Sequence, residues 1–160
     1  MDTTKRQQAE HLLLAAYQAQ MRGELAEAVE LYTRSIACRP TAEAYTLRGW
    51  AYSFQGSYER AIGECLRAIT LDPDFGNPYN DIGAYLIETG RQAEAVPWLE
   101  RALRARRYEC PYYPVFNLGR VYEHQRRYAD ARAQYERALA LHPGYTPAKR
   151  ALARLGAHWN

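Results

Sequence analysis

Three cysteines and four histidines among 160 residues leave little material for metal or redox chemistry. Cys38, Cys65 and Cys110 form no CxxC pair and are odd in number, which argues against a disulfide framework and a cysteine-rich zinc site. Cys65 reads as a small core residue on an apolar helix stripe. His11, His142 and His158 fall near the ends of predicted elements and lack ligand spacing. Glu123 and His124 are adjacent, so a helix points them in different directions and they form no acid–base pair. No glycine-rich segment has the form of a phosphate loop. The expectation is therefore a chain without catalytic residues, metal or cofactor, and not an enzyme. Long apolar runs are missing too: Leu12–Leu14 is too short for a signal peptide, and no stretch reaches the length of a membrane span. A reduced, cytoplasmic protein is expected. Phenylalanine and methionine are scarce at three and two, against 14 tyrosines. Tyrosine suits half-buried helix faces, where its ring packs and its hydroxyl reaches water.

Lysine is also scarce, with 19 of the 21 basic residues being arginine. Residues 1–100 hold 9 basic and 14 acidic side chains, and residues 101–160 hold 12 and 4. A basic C-terminal third invites a nucleic-acid reading through Arg104, Arg106, Arg107, Arg126 and Arg127, with Tyr108, Tyr112 and Tyr113 nearby. Arg126 and Arg127 fall in a predicted turn, however, and Arg104 on a helix, which spreads them over different edges. Solvated outer faces are the favoured reading.

What the chain does have is a repeat. Ala16, Gly49, Gly83 and Gly119 each precede by twelve places an alanine, at 28, 61, 95 and 131. Seven places further stand Ser35, Ala68, Ala102 and Ala138, and three of the four units close at Pro40, Pro73 and Pro143. A period of 33 to 36 residues predicts stacked helix pairs. The pairs read as 4–21 with 25–38, 42–54 with 58–71, 77–88 with 92–106, and 112–125 with 128–141. A last helix over 147–155 caps the stack, Thr146 serving as its N-cap and Pro147 its first residue. Thr41 is a predicted N-cap as well. Pro97 lies inside a predicted helix, where a slight kink is expected. The third unit has Arg107 where the others have proline and is extended by Tyr108–Pro111, which predicts a longer loop. That loop would be a groove wall, a second docking point or a seal between units.

These residues resemble the tetratricopeptide repeat family. The second unit matches through Tyr45, Leu47, Gly49, Tyr52, Gly56, Tyr58, Ala61, Ala68 and Pro73, and the fourth through Leu118, Gly119, Tyr122, Tyr128, Ala131, Tyr135, Ala138 and Pro143. The third offers Tyr79, Ile82, Gly83, Gly90, Ala95 and Ala102. The first is the most divergent, with Ala16 in place of glycine and Ala19 in place of an aromatic. The resemblance implies an all-α solenoid of about nine helices, a right-handed superhelix of antiparallel pairs. The whole of residues 1–160 would be one domain, with repeats near 9–41, 42–75, 76–111 and 112–145 and a capping helix over 146–156.

The resemblance also implies a function: a non-enzymatic scaffold or adaptor that binds a peptide or protein segment on the concave face, lined by the first helix of each pair. Residues rotated away from the small positions should line it. The expected groove residues are Leu13, Tyr17 and Met21, then Trp50 and Phe54, then Asn80 and Ile87, then Phe116, Asn117, Arg120 and His124. The early ones are apolar anchors. Asn80 and Asn117 are expected to bond a peptide backbone, and Arg120 a carboxylate. Leu13 and Tyr17 stand where members that clamp a chaperone's C-terminal carboxylate carry basic and amide residues, so that ligand is not expected. The competing readings are a homo-oligomer joined through an exposed end of the stack and Trp159, and a nucleic-acid binder using the basic third. The oligomeric state and the partner's identity are not set by the pattern.

Overall fold

The computed structural model describes residues 2–157, so His158 and Trp159 lie outside the described residues. Nine helices occur among them: α1 (Asp2–Met21), α2 (Leu25–Cys38), α3 (Ala42–Phe54), α4 (Tyr58–Leu71), α5 (Asn77–Glu88), α6 (Gln92–Arg104), α7 (Tyr112–His124), α8 (Tyr128–Leu141) and α9 (Thr146–Ala157). Each of α1, α3, α5 and α7 packs mainly on the helix that follows it, and the second helix of each pair then meets the first of the next. First helices also touch one another, α5 lying against both α3 and α7. This is the expected α-solenoid.

The small residues of the repeat are explained by what faces them. A Cβ at Gly119 would stand 2.5 Å from the Tyr135 ring, and one at Gly49 would stand 3.0 Å from the Ala61 carbonyl oxygen. Interiors at crystal-like density have no slack for such an atom. Tyr135 and its first-unit counterpart Tyr32 are fully buried. Their hydroxyls donate to Glu123 Oε2 at 2.6 Å and Gln20 Oε1 at 2.8 Å, twelve residues earlier in each case. Each buried tyrosine thus ties the second helix of its pair to the first, and leaves no orphaned hydroxyl.

Helix ends follow local chemistry. Thr41 Oγ1 accepts from the Ala44 amide at 3.1 Å, as its N-cap position predicts. Three of the four intra-pair turns use glycine in the left-handed region, with φ between 76° and 82° at Gly23, Gly56 and Gly90. The fourth turn places Arg126 there, at φ 59°. A residue with a Cβ pays about 1–2 kcal/mol for that conformation. Arg126→Gly is therefore expected to raise stability by about 1 kcal/mol, measured as an upward shift of the urea midpoint. An unchanged midpoint would show that the turn carries no such strain.

Five boundaries differ from the expected ones, two of them slightly: α7 ends one residue early at His124 and α9 runs two residues further, to Ala157. Helix α1 begins at Asp2, and Thr146 is the first residue of α9, not a cap before it. Helix α6 runs through Pro97 but ends at Arg104, two residues early, because Ala105 turns to extended backbone (ψ 139°). The cause is the next residues' tertiary engagement. The Arg107 amide donates to the Asp74 carbonyl at 2.9 Å and its carbonyl accepts from the Gly76 amide at 3.0 Å, pairing the α6–α7 loop with the α4–α5 loop. The Arg107 guanidinium donates to Asp72 at 2.6 Å and Glu43 at 2.9 Å and lies 4.3 Å from the Phe75 ring centroid. Tyr108 packs so closely on Gly76 that a Cβ there would overlap its side chain. The extended loop is a clasp that ties the end of the third unit back onto the second. A 210 Å³ cavity remains under it, lined by Phe75, Asn77, Arg107, Glu109 and Cys110.

Candidate functional site

On a helix, residues three and four apart share a face, so each first helix presents one row to the concave side. At the N-terminal end this row is aromatic. The rings of Tyr17 and Trp50 stack across α1 and α3 with centroids 6.4 Å apart, and Trp50 and Phe54 approach to 5.0 Å along α3. Phe54 is 53% exposed, Met21 50% and Tyr17 41%, whereas Trp50 is half-buried between its neighbours. Leu13 packs on the cluster formed by Ala16, Ala19, Ala28, Tyr32 and Ala51. Three of the five apolar residues expected to line this end, Tyr17, Trp50 and Phe54, meet ring to ring, and Tyr17, Met21 and Phe54 keep much of their surface in water.

The C-terminal half behaves differently. Ile87 is 4% exposed and belongs to the central core cluster, so it does not line the groove. One helical position separates it from the exposed Glu88, and that 100° rotation decides the matter. Asn80 and Asn117 are 7% and 6% exposed and bond each other, Asn117 Nδ2 donating to Asn80 Oδ1 at 3.0 Å. Arg120 donates through Nη1 to Asn117 Oδ1 at 3.2 Å and through Nη2 to Glu88 Oε1 at 2.6 Å. The groups expected to hold a peptide backbone and a carboxylate are thus joined in a ladder between α5 and α7. Buried amides left without partners would be costly, and the ladder is how this chain meets that demand. Phe116 is half-buried, its ring 5.4 Å from Tyr135 and edge-on to Tyr145 at 5.3 Å. His124 is exposed at the end of α7, apart from the ladder.

The charges of this face are mostly paired. Glu43 accepts from Arg107, Glu88 from Arg120, and Glu123 takes two bonds from Arg154 at 2.9 and 2.8 Å. Arg154 holds the Glu123 carboxyl below its ordinary pKa. Asp81 is the exception. It is half-buried on α5, and its side chain meets only Asn80 Nδ2, at a long 3.4 Å. Burial pushes its pKa up to about 7. Spacing alone passes over Asp81, because it is one of two polar residues in succession and nothing local shows that it loses its water. The basic C-terminal third, by contrast, is partly neutralised: Arg107, Arg120, Arg127 and Arg154 all have carboxylate partners.

Profiles of the tetratricopeptide repeat match residues 42–75, 79–107 and 114–145, in register with the second, third and fourth helix pairs. The chain belongs to the tetratricopeptide repeat family. Small glutamine-rich tetratricopeptide repeat-containing protein 2 of Mycosarcoma maydis is 33% identical to it over 89 residues, which is 55% of this chain and 25% of that protein. The chain spans a quarter or less of the length of such curated relatives. Among solved structures it resembles PilW, described as a widely conserved type IV pilus biogenesis factor, with a TM-score of 0.84 at 23% identity over 92% of this chain and 68% of that one. It also resembles PilF of Pseudomonas aeruginosa, with a TM-score of 0.86 at 20% identity over 95% of this chain and 69% of that one. Likeness at these identities is likeness of fold. As a tetratricopeptide repeat protein, the chain is a helical-repeat scaffold for protein interaction, and among its described residues no helix is long and apolar enough to cross a membrane.

Proposed function

We propose that the concave face takes a segment of another protein, anchored at its N-terminal end by the Tyr17–Trp50–Phe54 array. The observation that carries this reading is that array itself. Three aromatic rings from two helices lie side by side, Met21 follows Tyr17 by one helical turn, and Phe54, Met21 and Tyr17 remain between 41% and 53% exposed. Apolar side chains scattered singly need no explanation, but a contiguous aromatic group on a concave surface offers anchoring pockets. The ladder from Asn80 to Glu88 supports the same reading by bridging α5 and α7, which presets the groove before a partner arrives.

Trp50→Ala with Phe54→Ala is expected to leave the helical circular dichroism intact and to weaken partner binding at least tenfold. Capture from lysate, quantified by mass spectrometry against the parent protein, reads the effect. Equal capture by the folded double variant would place the binding surface elsewhere.

A further inference from the structure

Arg101 and Arg104 stand three residues apart in the last turn of α6, and both line one open cleft of 260 Å³. Pro73, Asp74, Tyr79 and Ala105 complete its walls, which places it where the α4–α5 loop meets the end of α6. Tyr17, Trp50 and Phe54 take no part in it. The Arg101 guanidinium lies over the rings of Tyr79 and Trp98, 4.7 and 4.8 Å from their centroids. Tyr79 is itself fixed, being buried and donating through its hydroxyl to the Pro73 carbonyl at 2.8 Å. Such stacking occupies the face of a guanidinium and leaves the N–H groups along its edge free. Arg107, three residues beyond Arg104, gives its donors to Asp72 and Glu43. Arg101 and Arg104 meet no carboxylate among the described residues, although Glu100 precedes Arg104 by one turn. Two like charges at this helical spacing repel each other. Their place in the last turn answers the negative end of the α6 dipole, but that needs neither a seat on two rings nor a cleft.

We propose that this cleft takes one acidic side chain, aspartate or glutamate, of a partner protein, held by the free edges of Arg101 and Arg104. Charge chooses the ligand. Two guanidiniums less the Asp74 carboxylate leave the walls with one net positive charge. A single carboxylate neutralises that charge, whereas the nearly doubled charge of a phosphate exceeds it and meets Asp74 as well. The two oxygens of a carboxylate also match the paired N–H groups along a guanidinium edge. The site is separate from the concave groove and does not depend on the groove reading.

Hexaglutamate is the probe, titrated into the isotope-labelled whole protein at low ionic strength, where such pairing is least screened. The Trp98 indole N–H and the Arg101 Nε–H report the site by nuclear magnetic resonance, and saturable shifts of both are expected. Arg101→Gln with Arg104→Gln should weaken the binding read at Trp98 by about tenfold or more, with helical circular dichroism unchanged. Arg132→Gln with Arg137→Gln removes the same charge from exposed positions of α8 outside the cleft, and should leave that affinity within about twofold. An equal loss in both variants would overturn the inference, because bulk charge would then account for the attraction. Tighter binding of inorganic phosphate than of hexaglutamate at Trp98, or no saturable shift there, would overturn it too. Each of these outcomes leaves the groove reading standing, since neither Trp50 nor Phe54 enters the measurement.

Discussion

Glu64→Leu is expected to lower the folding free energy by about 3–5 kcal/mol, because it strands a buried guanidinium. The Arg48 and Glu64 side chains are only 11% and 8% exposed and meet at 2.6 Å between Nε and Oε2. Arg48 also donates to Thr33 Oγ1 on α2 at 3.1 Å and lies 5.5 Å from the Tyr45 ring centroid on α3. One side chain thus connects three successive helices, and its charge is balanced from α4 alone. Removing the carboxylate leaves the charge with no counter-charge and little water. The pair itself is a different quantity, since taking both charges out of water offsets most of their attraction. Arg48→Met combined with Glu64→Leu should therefore recover to within about 1 kcal/mol of the parent. Urea denaturation of the two single variants and the double closes the cycle. A cost below about 1 kcal/mol for Glu64→Leu would mean that water reaches Arg48.

The repeat made the helices legible because its small residues are set by contacts within each pair. Gly119 has to face Tyr135 and Gly49 has to face Ala61, and both partners lie at fixed distances along the chain. Spacing also put Asn80, Asn117 and Arg120 on the right helices. It could not show that they bond one another, since Asn80 and Asn117 are 37 residues apart and the choice between a ligand and a neighbour depends on how closely α5 approaches α7. Ile87 was misplaced by a single helical step, the smallest error a 3.6-residue period allows. The end of α6 was hidden for another reason. Arg107 replaces the closing proline, and its partners Glu43 and Asp72 lie 64 and 35 residues away. The departure from the repeat marked the place, and only the fold shows that it closes a clasp.

The first-helix rows differ between the two ends of the stack along the same line. At α5 and α7 the polar side chains of Asn80, Asn117, Arg120 and Glu88 hold the first helices together. At α1 and α3, where no such ladder exists among the described residues, the same rows carry large apolar side chains with much of their surface exposed. Trp50 and Phe54 can therefore be changed with less damage to the fold than Asn117 can.

The substitution of Asp81 gives the second large expected effect. Its pKa is raised from 3.8 to about 7 by burial, so the folded state prefers the protonated form more strongly than the unfolded chain does. The resulting stabilisation is complete below about pH 4 and is lost as pH rises through 7, a change of about 4 kcal/mol at 1.36 kcal/mol per unit. Asp81→Asn removes that dependence while keeping a side chain of the same shape. The variant should match the parent near pH 4 and exceed it by up to about 4 kcal/mol at pH 8, the gap opening between those limits. Asp72 and Glu123 act with the opposite sign: Arg107 and Arg154 lower their pKa values, so their contribution is present above the ordinary carboxyl range and falls away in acid. Both remain in the variant, and the difference between the two urea-midpoint profiles isolates Asp81. Parallel profiles from pH 5 to pH 8 would show that the carboxylate is already solvated. A gap of the expected size would mean that this scaffold carries a destabilising charge at neutral pH, held on α5 with no cationic partner among the described residues.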